Sequence, residues 1–159
     1  MLKYIKQKLK DRFDLKTYNV GILQDQVYRI LKKQTNVILK DYDLTSFEWA
    51  VLGILFESKE GENAVDLAEE IGVTQAFVSK VLKKLKVNKY IELKREEDGR
   101  YKKIHLSNYG RESVLQIEPI LKEKMKVLLK DIVITDLYGY VNTLKKILEN
   151  SGNIGYKIT

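Results

Sequence analysis

The side chains best suited to chemistry in this chain are bases, and they are unevenly spread. Between Thr74 and Lys103 there are ten lysines and arginines against four acids, whereas Glu57 to Gly72 holds six acids and one lysine. Such a reversal over adjoining segments gives one stretch a field that attracts a polyanion. Within the basic stretch the spacing is helical. Val78, Val81, Leu82 and Leu85 fall on one side of a wheel, and Ala76, Ser79, Lys80 and Lys83 on the other. A rod anchored on one face and free on the other suits the major groove of B-DNA. Gln75 at the tip can bridge an adenine, Ser79 can donate or accept, and Ala76 can touch a thymine methyl. Lys80, Lys83 and Lys84 suit phosphates, which fix register and carry little sequence information. Thr74 is first a helix cap, whose hydroxyl and helix N-terminus can also meet a phosphate. Arg95, Arg100 and Lys102 complete the set beyond the helix. Arg100 is placed for a narrow minor groove, the alternative being a plain hairpin surface.

Other chemistries lack their residues. The chain of 159 residues has no cysteine and one histidine, His105, so disulfides, thiolate catalysis and Cys- or His-rich metal sites drop out. His105 lies between Ile104 and Leu106 and reads as a strand surface residue. No paired carboxylates in an apolar setting, phosphate-cradling glycine loop or nucleophile–base constellation is visible, so no enzyme and no cofactor are expected. No apolar run approaches the roughly 20 residues of a membrane span, and the opening MLKYIKQKLKDRF has no signal-peptide stretch. A cytoplasmic protein without membrane contact is the expectation.

The elements that must hold the basic rod follow from periodicity and punctuation. Val20, Leu23, Val27, Ile30 and Ile38 predict an amphipathic helix from Tyr18 to Lys40. Thr45-Ser46-Phe47-Glu48 fits a capping box opening a deeply buried helix to Phe56. Asn63 caps a short helix that stops at Gly72, and Thr74 caps the next, which makes a helix-turn-helix. Tyr90–Arg95 and Tyr101–Leu106 alternate with period two around Glu96-Glu97-Asp98-Gly99, a β-hairpin or "wing", with Ile104 and Leu106 inward. Ser107 or Asn108 caps a helix over 109–130, bent or divided by Pro119. A last helix starts near Thr135 with the stripe Leu137, Val141, Leu144 and Leu148, and Ser151-Gly152-Asn153 is expected to fray.

The segment from Leu44 to Gly110 resembles the MarR family of transcription regulators. The resemblance rests on Leu44-Thr45, on Asn63-Ala64-Val65-Asp66-Leu67-Ala68-Glu69-Glu70-Ile71-Gly72-Val73-Thr74, and on Val78-Ser79-Lys80-Val81-Leu82-Lys83-Lys84-Leu85. It continues with Asp98-Gly99-Arg100 in the wing and His105-Leu106-Ser107-Asn108-Tyr109-Gly110 after it. Asn88 stands where the family often has glycine and is expected to take the left-handed conformation. Gly99 stands where many members carry a second base.

The expected architecture is mainly α with a small β-hairpin, a winged helix-turn-helix flanked by dimerisation helices. The units are an N-terminal arm (1–43), the reading head (44–108), C-terminal dimerisation helices (109–150) and a flexible tail (151–159). The arms cannot bury their own stripes and the core's in one small layer, so a twofold homodimer is expected, and the resemblance implies the same. Two recognition helices over 74–88 would then meet a near-palindromic double-stranded DNA operator, with wings over 95–102 at the minor groove. The expectation is a sequence-specific regulator of the repressor kind; the alternative is a winged-helix module acting by protein contacts or by coating DNA nonspecifically. The resemblance also implies a small anionic aromatic effector between arms and head. Tyr18, Tyr28, Tyr42, Trp49 and Tyr109 are candidates to line its pocket, the alternative being that they are core.

Overall fold

Helices start in this chain where a side chain can take up the amides that a first turn leaves free. The computed structural model describes residues 17–95 and 102–153. Among them run α1 (Thr17–Leu39), a 3₁₀ turn (Lys40–Tyr42), α2 (Ser46–Glu57), α3 (Ala64–Ile71) and α4 (Gln75–Val87). The hairpin β1 (Ile91–Arg95) and β2 (Lys102–Leu106) follows, then α5 (Asn108–Leu128) and α6 (Ile134–Asn153). Thr45 and Glu48 form the expected capping box, the Thr45 amide donating to Glu48 Oε2 at 2.6 Å and the Glu48 amide to Thr45 Oγ1 at 3.3 Å. Asn63 Oδ1 accepts from the amides of Val65 and Asp66, and Thr74 Oγ1 from that of Phe77. At the head of α5 it is Ser107, not Asn108, that caps, accepting from the Gly110 amide at 2.9 Å.

Helix ends obey the same accounting of unpaired carbonyls. Gly72 ends α3 with φ +74°, as expected, and the Val73 amide returns to the Ala68 carbonyl. The end of α4 departs from expectation. Asn88 stays at φ −80°, and the left-handed residue is Lys89, at φ +62°. The Lys89 amide closes on the Lys86 carbonyl and the Tyr90 amide on that of Leu85, a Schellman pair that fixes the turn one residue later. Asn88, the C-cap, keeps a negative φ, and its side-chain amide donates to Asp43 Oδ2 at 2.9 Å.

The core sits under the helix-turn-helix. Leu52 and Leu55 of α2, Leu67 of α3, Val78 and Leu85 of α4, and Ile117 of α5 are fully buried around it, with Ile91 and Ile104 closing the hairpin side. The α2 helix is less uniformly buried than its composition suggests. Trp49, Ile54 and Phe56 are only partly covered, while Glu48 on the same helix is buried. The hairpin is antiparallel, pairing Ile91 with Leu106, Leu93 with Ile104 and Arg95 with Lys102. A feature absent from the periodicity lies beside it. Glu62 and Ile104 exchange both backbone bonds, at 3.0 and 2.8 Å, so the loop before α3 adds a one-residue third strand.

Two further expectations are corrected. α5 runs through Pro119 without being divided there, with Pro119 and Leu115 four residues earlier both exposed. α6 continues through Asn153 instead of fraying at Ser151, whose hydroxyl donates back to the Leu148 carbonyl. Residues 154–159 lie outside the described residues, as do residues 1–16 of the expected arm. On α1, Val20, Leu23, Val27 and Ile30 are exposed, and on α6 so are Ile134, Val141, Ile147 and Leu148. No described helix is long and apolar enough to cross a membrane.

Candidate nucleic-acid interface

The α4 helix presents its two faces as its sequence dictates. Val78, Val81 and Leu85 are buried and Leu82 packs partly against the same core, while Gln75, Ala76, Ser79, Lys80 and Lys83 are exposed on the other side. Thr74 is exposed at the tip, and its capping bond uses the oxygen as acceptor, leaving the hydroxyl proton free to donate. Neither Lys80 nor Lys83 has a hydrogen-bond or ion-pair partner among the described residues. The face therefore offers small and polar side chains toward the helix N-terminus and two such ammonium groups beyond them, an arrangement that fits base edges at the tip and phosphates further along.

Lys84 does something else. Its Nζ donates to the Asp43 carbonyl at 2.9 Å and to Asp43 Oδ1 at 3.3 Å, and lies 3.4 Å from Glu48. One step along a helix turns a side chain by about 100°, which carries Lys84 off the face of Lys83 and over the start of α2. Lys84, expected to reach a phosphate, thus also has internal partners. Its side chain is 39% exposed and that of Glu48 only 5%, so Lys84 is what compensates a buried carboxylate. Desolvation pulls the Lys84 pKa down, but the Glu48 charge and the bonds to Asp43 and Glu48 outweigh it and hold the ammonium above its usual value. Asp43 moves the other way. The bonds from Asn88 and Lys84 hold its carboxyl below the usual aspartate range.

At the wing, Arg95 and Lys102 are both exposed and directly opposite each other across the hairpin. Like charges opposed on neighbouring strands repel, and an anion between them relieves that cost. Arg100 and the turn 96–101 lie outside the described residues. His105, read as a surface residue, is half-buried with its imidazole against Gly61, where any Cβ would strike it. Phe77, off the apolar stripe of α4, finds its partner in Phe47 on the first turn of α2, ring centroids 5.0 Å apart and nearly edge to face.

The candidate effector aromatics do not form one cluster, although Tyr42 and Tyr109 both adjoin Tyr90. Tyr18 and Tyr28 are exposed on α1, Tyr42 packs against the core, and Tyr109 lies against Tyr90. Of the five, Trp49 lines an open cavity of about 220 Å³, with Gln34 and Thr35 of α1 and Leu121, Lys122 and Met125 of α5. Sequence reasoning missed Asp43, Glu48, Asn88 and Tyr90 as determinants of the α4 position. The Tyr90 hydroxyl donates to the Tyr42 carbonyl at 2.7 Å. Burial above all, then its neighbour Tyr109, pushes its pKa far up, so it remains a donor. Their partners lie more than 30 residues away, beyond any local pattern.

No curated protein matches the chain by sequence, but solved structures share its fold. A MarR-family transcriptional regulator from Rhodococcus sp. RHA1 superposes with a TM-score of 0.73 at 19% identity, over 82% of this chain and 93% of that one. MepR of Staphylococcus aureus, solved in complex with DNA, gives 0.71 at 23% identity, over 82% and 96%. CouR from Rhodococcus jostii RHA1, solved with p-coumaroyl-CoA, gives 0.76 at 19%, over 80% and 90%. The winged-helix fold implied by the MarR resemblance is thereby borne out. The model of the transcriptional regulator family SarA/Rot matches residues 33–117, spanning the head from the end of α1 into α5. The chain belongs to the SarA/Rot family of transcriptional regulators, winged-helix proteins of the same fold as the MarR regulators.

Proposed function

We propose that the protein is a dimeric, sequence-specific repressor that lays α4 in the major groove of double-stranded DNA and the wing over the adjacent minor groove. The observation that carries this reading is the exposed face of α4. Gln75, Ala76 and Ser79 are free to meet bases, and Lys80 and Lys83, further along the helix and without a partner among the described residues, are free to meet phosphates. Thr74 supports the helix tip, and Arg95 and Lys102 hold the base of the wing; Arg100, outside the described residues, is the residue proposed for the minor groove. The apolar faces of α1 and α6, left uncovered in one chain, are the surfaces a second copy buries. Two heads related by a twofold axis then address half-sites about 34 Å apart in a near-palindrome, and occupancy excludes polymerase. The cavity beside Trp49, with Lys122 at its edge, is the place for a small anionic aromatic effector. Competition tests the reading. Binding to a duplex selected from genomic fragments survives random DNA in an excess of about 10³. Loss of the complex at parity with random DNA would instead mark a nonspecific coat.

A further inference from the structure

We infer that Asp43 is a positioning residue for DNA recognition, welding the last turn of α4 to the joint between arm and head so that α1 and α4 turn as one body. The inference rests on α4 being the groove helix. Residues 42–45 would ordinarily be a hinge, since a chain between two helices has free dihedrals. Here the joint is bonded on both sides. Toward α1, the Asp43 amide donates to the Lys40 carbonyl at 3.1 Å and the Leu44 amide to that of Leu39 at 3.0 Å. Asp43 accepts the left-handed φ of +52° this needs, a conformation its short polar side chain tolerates. Toward α4, its carboxylate takes Lys84 Nζ on Oδ1 and Asn88 Nδ2 on Oδ2, two side chains one helical turn apart. The Asp43 carbonyl takes Lys84 again, and the Tyr90 hydroxyl binds the Tyr42 carbonyl just past the same helix end.

An isolated exposed ion pair of this kind holds little. Four links converging on two consecutive residues hold an orientation, because each adds to the resistance against rotation and losing one loosens the joint. Lys84 is further committed by buried Glu48, whose charge would otherwise be uncompensated. Rotation of an arm, by a partner or by a bound effector, therefore reaches α4 without being absorbed at the joint. The distance between the two heads follows the arms.

The test separates this coupling from direct touching of DNA. Because the chain has no cysteine, spin labels go on Asn36→Cys in α1 and Lys86→Cys in α4, both exposed, diluted with unlabelled chain. With no DNA present, Asp43→Asn, which keeps the size and tolerates the φ, broadens a narrow interlabel distance distribution; Asn88→Ala broadens it less. Unchanged widths in both variants overturn the inference, whatever the protein does with DNA. On duplexes selected by the wild-type protein and respaced between half-sites, the label-free Asp43→Asn protein loses spacing preference by about fivefold or more, the low end of couplings between sites. It keeps its affinity for a single half-site and its salt slope. A uniform loss at every spacing would mean that Asp43 touches DNA and does not couple arm to head, and would also overturn it. Failure of the wild-type protein to select any duplex would overturn the groove reading instead, while the distance distributions would still decide the weld.

Discussion

Lys83 and Lys84 are neighbours of one type in opposite surroundings, and the difference is a rotation of about 100° around α4. Lys83 faces outward with no partner among the described residues, whereas Lys84 is bound over Glu48 and Asp43. Replacing Lys83 with Ala is expected to weaken DNA binding equally on all sequences. The slope of log affinity against log salt should fall by about one for each phosphate left without its ammonium, read from titrations at several salt concentrations. An unaltered slope would remove Lys83 from the interface. At this scale the sequence was legible where a residue acts through its own helix, as the Thr74 cap does. It was not legible for Lys84, whose acceptors are 36 and 41 residues earlier and whose neighbourhood only the fold creates. The Asp43 carboxylate, held below its usual pKa by Asn88 and Lys84, contributes its links in full above the ordinary value of 3.8 and loses them as the pH falls through its lowered one.

At the scale of elements, the junction of hairpin and α5 shows what the run Ser-Asn-Tyr-Gly does. Ser107 caps α5 with its oxygen and donates its proton to the Lys89 and Tyr90 carbonyls, which draws the helix start onto the end of α4. Gly110 then lies so near the Tyr90 carbonyl oxygen that a Cβ would overlap it. Backbone cannot yield as a flexible side chain does. Replacing Gly110 with Ala is therefore expected to destabilise the protein by about 3 kcal/mol, the upper range for overpacking, seen as a lower urea midpoint at unchanged slope. A midpoint equal to wild type would mean that the head is looser than its geometry. The helices and the hairpin were legible because their periodicities and caps are local. The Glu62–Ile104 bridge was not, since one residue pair has no period, nor was the left-handed turn at Lys89 rather than Asn88, whose side chain bonds Asp43.

For the whole molecule, the question is what covers the arms. Leu23 on α1 and Ile134 on α6 are each 62% exposed, within stripes that continue along both helices. Burying such surface contributes roughly 25 cal/mol per Å², so a second copy is the economical cover. The hydrodynamic mass is expected near twice the 18.6 kDa of one chain at micromolar concentration; a clean monomer there would contradict the dimer. The stripes were legible from spacing, but their pairing was not, because a lone sequence does not say which surface meets which.

Footprinting on genomic fragments at moderate ionic strength asks for groove helix, wing and twofold pairing together. A paired reader of this geometry leaves two protected half-sites in mirror symmetry, their centres about one turn of duplex apart. Protection without symmetry, or none on any fragment, would contradict it.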